Sequence, residues 1–142
     1  MKAIRQHGYA WLAMAGALGL HVADEAANDF LSVYNPTVRD VRAAAPWLPL
    51  PTFEYRVWLW GLIGAVVALA ALSWFVFRGR PWTAAASYVL AGFMILNGGM
   101  HFAGSIWMRR EMPGVVSSPV LILAGIYLVI KAQAAAQASR PI

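Results

Sequence analysis

The sequence contains no cysteine and little charge. Its 142 residues include 11 lysines and arginines, six aspartates and glutamates, and no cysteine. The lack of cysteine excludes disulfides, thiolate metal ligands and a cysteine nucleophile. Charged residues make up 12% of the chain, about half of the roughly 25% that is typical of globular domains. Because no basic run is longer than Arg109–Arg110, the net charge of +5 indicates membrane topology signals, and we expect no nucleic-acid partner.

Apolar residues dominate the chain and fall into four long segments. Hydrophobic residues make up 61% of the sequence, and the mean hydropathy is +0.60. The segments cover residues 9–31, 57–77, 83–107 and 113–131. Segments of about 17–25 residues cross a hydrocarbon layer about 30 Å thick, and in lipid the backbone satisfies its hydrogen bonds as a helix. The sequence therefore predicts an all-α fold, a four-helix transmembrane bundle that forms one integral-membrane domain over residues 1–142.

The first connection is long and polar enough to carry structure of its own. It covers residues 32–56, longer than most loops in compact domains. Within it we predict a short interfacial helix with Asn35 as its N-cap, Pro36 in its first turn and Pro46 as its stop. Glu54 has two interpretations, since it either serves the first turn of the next helix or joins a site.

The distribution of positive charge favours a topology with both termini in the cytoplasm. Six lysines and arginines lie on the side of the termini and five on the other side, so the positive-inside rule favours that orientation by one charge. The N-terminus also fits a secretory signal peptide, although its apolar segment is long enough to span. His7, in the charged N-terminal tail, is expected to be solvated.

Polar residues interrupt two of the apolar segments at the same depth. The first segment carries a stripe at helical spacing formed by His21, Asp24, Glu25 and Asn28. The third carries Asn97 and His101, four residues apart on one face. Counted along helices that run the same way, Asp24 and Asn97 lie at about 22 and 21 Å. Ser117 and Ser118 fall at the same level.

Such residues are expensive to bury in lipid, and for that reason they indicate function by default. The stripe and the pair together predict a bipartite site. Two other interpretations stay open. The residues form a structural hydrogen-bond network between the helices, or this end of the first helix lies among lipid headgroups.

With these residues assembled, the chain resembles the HXXEE family of small bacterial membrane proteins. The family's His-x-x-Glu-Glu motif stands here as HVADE, with Asp24 in place of the first glutamate. A second block, NGGMHFAGSIWMRREMPGVVSSP, carries the Asn-Gly-x-x-His run and a Pro-Gly turn. The resemblance covers most of the chain and implies a single multi-pass domain in the bacterial inner membrane. It implies no reaction.

We expect an enzyme that performs acid–base chemistry on a lipophilic substrate: isomerisation, cyclisation, hydration or epoxide opening. Glu25 or Asp24 would be the acid, and His21 or His101 the base or its orienter. The apolar stripes Met14–Leu18 and Leu90–Met94 would hold the substrate tail. The expected partners are membrane lipid, the lipophilic substrate and a second copy of the chain.

Two alternatives use the same residues. Two histidines and two carboxylates suit a Zn²⁺, Mn²⁺ or non-haem iron site, and the sequence does not decide among these metals. A proton-coupled carrier or binding module would use the same stripe to relay protons or to capture a polar solute.

Overall fold

The computed structural model describes residues 1–138, and every regular element in that range is a helix. The five helices are α1 (Lys2–Ala27), α2 (Leu31–Ala44), α3 (Tyr55–Phe77), α4 (Trp82–Met108) and α5 (Ser118–Ala138). The all-α prediction is confirmed. The second and third predicted segments, 57–77 and 83–107, agree with α3 and α4 to within about two residues at each end, which is the usual uncertainty of a helix boundary.

α1 is longer at its start and shorter at its end than the sequence predicted. It begins at Lys2 instead of residue 9, because the polar N-terminal residues continue the helix beyond the apolar run. It ends at Ala27 instead of residue 31, because Asp29 takes a left-handed φ of 52°. The prediction that His7 is solvated was wrong: its side chain lies inside the bundle, with Nε2 2.7 Å from Ser87 Oγ.

α5 starts later and ends later than predicted. It begins at Ser118 instead of residue 113, because Gly114 has a φ of 91°, far outside the helical range. It continues beyond residue 131 to Ala138 through a stretch rich in alanine and glutamine, which have high helix propensity. The connection between α4 and α5 is therefore a shaped turn rather than a simple break between two apolar helices.

α2 differs from its prediction at its start. It begins at Leu31, so the expected roles of Asn35 as N-cap and Pro36 as a first-turn residue were wrong, and the proline lies inside the helix. The Asn35 amide instead holds the segment after α2. Its nitrogen donates to the Phe53 carbonyl oxygen at 2.9 Å, and its oxygen accepts from the Phe53 N–H at 3.0 Å. The helix ends at Ala44, as the nearby proline predicted.

α1 lies at the centre of the bundle. It packs against α3 on one side and α5 on the other, and α4 packs mainly on α5. The core includes Trp11, Met14 and Leu18 of α1 together with Leu121 and Leu128 of α5. Met14 and Leu18 are therefore packed inside the protein, and the expectation that their stripe holds a substrate tail stays a prediction.

α1 and α4 run in the same direction, as predicted. His7 contacts Ser87 near one end of the pair, and His21 contacts His101 towards the other. His7 and His21 are 14 residues apart on α1, and Ser87 and His101 are 14 residues apart on α4. Each separation is about 21 Å along a helix. The two helices thus stay in register over that whole distance.

Three of the described helices are long and apolar enough to cross a membrane: α3, α4 and α5. α1, whose last two turns carry His21, Asp24 and Glu25, is not among them. Of the helices described, α1 has the most buried residues, and both of its imidazoles are buried against α4. His7, His21 and Glu25 are therefore surrounded by protein, whereas Asp24 is only half-buried.

Candidate functional site

Two histidines meet between α1 and α4. His21 is 1% exposed and His101 is 2% exposed. Their Nε2 atoms are 3.2 Å apart, and the rings meet edge to face at 82°. Asn97, one turn before His101 on α4, places its side-chain nitrogen 3.0 Å from the same Nε2 of His21. The parallel register of the two helices brings together the residues that the sequence placed at matching depth.

A buried carboxylate joins the two imidazoles. Glu25, one turn after His21 on α1, is 5% exposed. Its Oε1 lies 3.6 Å from Nε2 of His21 and 3.2 Å from Nε2 of His101. Two imidazole nitrogens and one carboxylate oxygen therefore converge on one point. The three residues are named here the histidine–glutamate centre.

The contacts of Nδ1 of His21 indicate which ring nitrogen carries the proton. Nδ1 of His21 is 2.8 Å from Ser117 Oγ, and that hydroxyl donates its proton to Asp24 Oδ2 at 2.7 Å. A serine has one hydroxyl proton, and the other two oxygens near Ser117 Oγ, Asp24 Oδ2 and the Gly114 carbonyl at 3.1 Å, can only accept it. The tautomer that fits these contacts carries the ring proton on Nδ1, so that His21 donates to Ser117. Nε2 then carries a lone pair that faces Glu25, in agreement with the Asn97 N–H pointing at it.

Asp24 supports this arrangement from outside. Its Oδ2 accepts the Ser117 backbone N–H at 2.9 Å as well as the hydroxyl, so it caps the start of α5. Its Oδ1 accepts from the Asn28 side chain at 2.9 Å. Asp24 does not touch the histidine–glutamate centre directly; it acts through Ser117. Asn28 is exposed and lies one further step away.

The other face of His101 is enclosed by the turn before α5. A methyl group built on Gly114 would lie 2.6 Å from His101 Cε1, 2.8 Å from its Nδ1 and 3.0 Å from Glu25 Cγ. The Phe30 ring packs 5.6 Å from the imidazole between the ring centroids. His101 Nδ1 is buried without a hydrogen-bond partner. The backbone of Gly114 therefore closes the centre and sets the position of this ring.

In the part of the chain that the structure describes, the carboxylates near the centre have no lysine or arginine partner. Within residues 1–138, no lysine or arginine lies within 4.0 Å of the carboxylate oxygens of Asp24 or Glu25. The buried carboxylate of Glu25 faces only imidazoles at that range. A buried charge is normally paired or bound to a metal. The centre thus holds uncompensated negative charge unless an imidazole takes a proton or a cation binds.

A polar cavity of about 260 Å³ adjoins the centre. The end of α1 and the start of α2 contribute Asp24, Asn28, Ser32 and Val33, and the α4–α5 turn contributes residues 110–116. Gly114 lies both in the wall of this cavity and against the His101 ring. Gly114 alone would therefore separate a small polar molecule bound in the cavity from the centre.

The sequence named six site residues, and the structure sorts them into layers. His21, Glu25, His101 and Asn97 come together; Asp24 stands one residue back, and Asn28 is exposed. Glu54 is the exposed N-cap of α3 and makes no side-chain capping bond. Ser117 and Gly114 were not named as site residues. The depth of Ser117 had marked it, whereas nothing in the sequence indicated that Gly114 touches His101.

These observations define a class: an all-α protein with three helices able to cross a membrane and a buried His/carboxylate cluster at one end of its helix bundle. The chain belongs to the family described as "Protein of unknown function with HXXEE motif", which matches residues 11–128. The family resemblance predicted from HVADE and NGGMH is therefore confirmed. Neither the curated proteins nor the solved structures include a chain that matches this one significantly.

Proposed function

We propose that this protein is a membrane enzyme whose histidine–glutamate centre transfers protons on a lipophilic substrate. The observation that carries the proposal is the convergence of His21, Glu25 and His101, all buried in the bundle, within 3.6 Å. Burial and mutual contact are the means by which enzymes adjust acids and bases to working pH. The centre has a proton acceptor and a proton donor facing the same small volume.

In this proposal α1 is a fourth transmembrane helix beside α3, α4 and α5, and the chain is one integral-membrane domain. α1 has 26 residues, which gives about 39 Å of helix against a hydrocarbon layer of about 30 Å. It lies between two apolar helices, α3 and α5. The ionisable groups of its centre face α4, so the insertion penalty is offset by protein contacts. The proposed location is the bacterial inner membrane, with both termini in the cytoplasm.

The division of roles follows from the hydrogen bonds. His21, held by Ser117 with its lone pair on Nε2, is the base. Glu25 lies between both imidazoles and passes a proton from one to the other. His101 returns the proton at a second substrate atom. Isomerisation, cyclisation, hydration and epoxide opening all need such a donor and acceptor pair.

An apolar groove of about 440 Å³ between α1 and α5 suits the tail of such a substrate. Small residues of α1 form one side, Ala13, Gly16 and Ala17, and Val120, Leu123 and Tyr127 of α5 form the other. The groove ends at Leu20 and Val120, next to His21 and close to Ser117 in the chain. An acyl or isoprenoid chain lying in it would present its polar end at the level of the centre.

The test compares lipid turnover by wild type and by Glu25→Gln. Purified proteins in liposomes are incubated with a bacterial lipid extract, and all lipid species are followed by mass spectrometry. A lipid that wild type consumes or forms and Glu25→Gln leaves unchanged is the expected result. His7→Gln is the matched control, because His7 is equally buried on α1 but has no carboxylate neighbour among residues 1–138. Identical lipid profiles for wild type and Glu25→Gln would refute the proposal.

The groove has its own test. A methyl group at Gly16 meets nothing within 4 Å, so the position has room for a side chain, and Gly16→Leu is designed to fill the groove. Gly61 on α3 is equally open and serves as the control. Gly16→Leu should slow turnover of the lipid found above while Gly61→Leu leaves it unchanged. Equal rates for both variants would remove the groove from the proposal.

A further inference from the structure

We infer that the histidine–glutamate centre is a binding site for one divalent transition-metal ion. The ligands are Nε2 of His21, Nε2 of His101 and Oε1 of Glu25. The three ligand atoms, all from buried residues, lie within 4.8 Å of one another. Metal binding can be measured without any substrate, so the inference stands or falls separately from the proposed enzyme.

The distances between the three atoms fit a shared metal. They form a triangle with sides of 3.2, 3.2 and 3.6 Å. The circumradius of that triangle is about 1.9 Å, and an ion slightly above its plane reaches bond lengths of about 2.0–2.2 Å, as Zn²⁺ makes to histidine and carboxylate. The side chains therefore need no large movement to bind the ion.

The hydrogen bonds around His21 are those of a metal ligand. A histidine that binds metal usually donates its other ring N–H to an oxygen, and this fixes the tautomer and the ring. His21 donates Nδ1–H to Ser117 Oγ, and Ser117 is held in turn by Asp24. The chain Asp24–Ser117–His21 thus leaves the Nε2 lone pair free at the centre.

The charge of the two carboxylates, Asp24 and Glu25, also favours a bound cation. Glu25 is buried with only imidazoles around its carboxylate, and Asp24, one residue away, has serine and asparagine partners. With neutral histidines the two carboxylates carry two negative charges. A divalent cation at the centre compensates both, one by direct coordination and one through Ser117.

Asn97 is placed to serve as a fourth ligand. Its side-chain nitrogen now lies 3.0 Å from His21 Nε2, and a half-turn of the amide brings the oxygen to that position. Two imidazoles, a carboxylate and an amide oxygen favour Zn²⁺, Fe²⁺ or Mn²⁺ over Ca²⁺, which prefers oxygen ligands alone. In a metal-bound form of the proposed enzyme, the Nε2 lone pairs of His21 and His101 would bind the ion and would no longer act as base and acid. A water on the ion would then supply the proton-transfer group in their place.

The experiment is a Co²⁺ titration of the whole protein in detergent, after removal of metal with a chelator. Co²⁺ reports its ligands through visible absorption bands, and metal content is measured in parallel. Wild type should bind one equivalent. Glu25→Gln and His101→Ala should each weaken binding at least 100-fold, and Ser117→Ala should weaken it 10–100-fold through the His21 ring.

Two controls make the outcome decisive. His7→Ala, 14 residues away on the same helix, should bind Co²⁺ like wild type, and helical circular dichroism shows which variants have folded. Asn97→Asp should bind more tightly than Asn97→Ala if position 97 is a ligand. Binding below one-tenth of an equivalent in folded wild type, or equal binding by folded wild type and Glu25→Gln, would overturn the inference. Stoichiometric binding with no lipid turnover would retain the metal site and refute the enzyme.

Discussion

Each end of the α1–α4 pair buries a histidine beside a serine, but the other groups around the two histidines differ. At one end His7 is 2% exposed and its Nε2 contacts Ser87 Oγ at 2.7 Å. At the other end His21 is 1% exposed and contacts Ser117, but it also faces His101, Asn97 and Glu25.

A buried histidine satisfied by one serine is explained by packing alone. Three ionisable groups buried against one another raise the electrostatic energy of the fold, and such arrangements are concentrated at functional sites. Burial of a histidine is thus common to both ends, and what distinguishes the candidate site is the carboxylate and the second imidazole.

The largest difference between the ends should appear in turnover. His101→Gln removes one of the two imidazoles of the centre, and we expect it to lower turnover of the lipid identified with wild type by about 10²–10⁴, the range for a lost general acid or base. His7→Gln, which keeps a polar group beside Ser87, should change the rate less than threefold. Initial rates in liposomes measure both, and equal losses would mean that the two ends do not differ in function.

The next effect is on stability and compares the two glycine turns. Gly114, φ 91°, lies against His101 and Glu25, whereas Gly79, φ 63°, faces the flexible end of Ile4. Gly114→Ala should lower the free energy of unfolding by about 2–5 kcal/mol, through backbone strain and overpacking together. Gly79→Ala should lower it by about 1–2 kcal/mol, the penalty of a left-handed alanine. Unfolding in detergent and denaturant gives both values, and a smaller effect at Gly114 would contradict the close contact.

Periodicity and burial energy were sufficient to predict most of this architecture. The apolar segments fixed α3 and α4, and the helical spacing of His21 and Glu25 put both on the face that meets His101. The helix ends were less predictable, because Asp29 and Gly114 end or delay helices through positive φ values that hydrophobic periodicity does not signal.

The spacing of residues in the sequence also could not predict which residues form the centre and which support it. Asp24 and Glu25 are adjacent in sequence, but only the fold shows that Asp24 holds Ser117 while Glu25 enters the centre. His7 shows the same limit. The charged residues near it in the sequence predicted that it is exposed, but the fold buries it. Spacing identifies a face of a helix, and the neighbouring helices decide which of its residues meet.

Two serine variants distinguish support of a buried histidine ring from a role in turnover. Ser117→Ala and Ser87→Ala each remove the side-chain partner of a buried histidine, and each should lower the free energy of unfolding by about 1–3 kcal/mol. Only Ser117→Ala should also reduce turnover, by about 10–100-fold, because Ser117 holds the ring of His21, the base of the proposed enzyme. A rate loss of that size in Ser87→Ala would show that general loosening of the bundle explains both.

The smallest effect is expected at Asn28, the outermost residue of the stripe. Its side chain is exposed and donates to Asp24 Oδ1, while Asp24 keeps two bonds to Ser117 on its other oxygen. Asn28→Ala should therefore change the free energy of unfolding by no more than about 0.5 kcal/mol, as for most surface substitutions, and leave turnover within twofold.

Asn28→Asp is the sharper variant at that position. It places a second carboxylate beside Asp24 at a spacing of four residues, where like charges repel by about 0.2–0.5 kcal/mol on a helix surface, and it removes the donor at the same time. The repulsion should fall when the ionic strength of the denaturation assay is raised, whereas the Asn28→Ala value should not change. A large loss of turnover in Asn28→Ala would move the boundary of the site outward, from Ser117 and Asp24 to the surface of the protein.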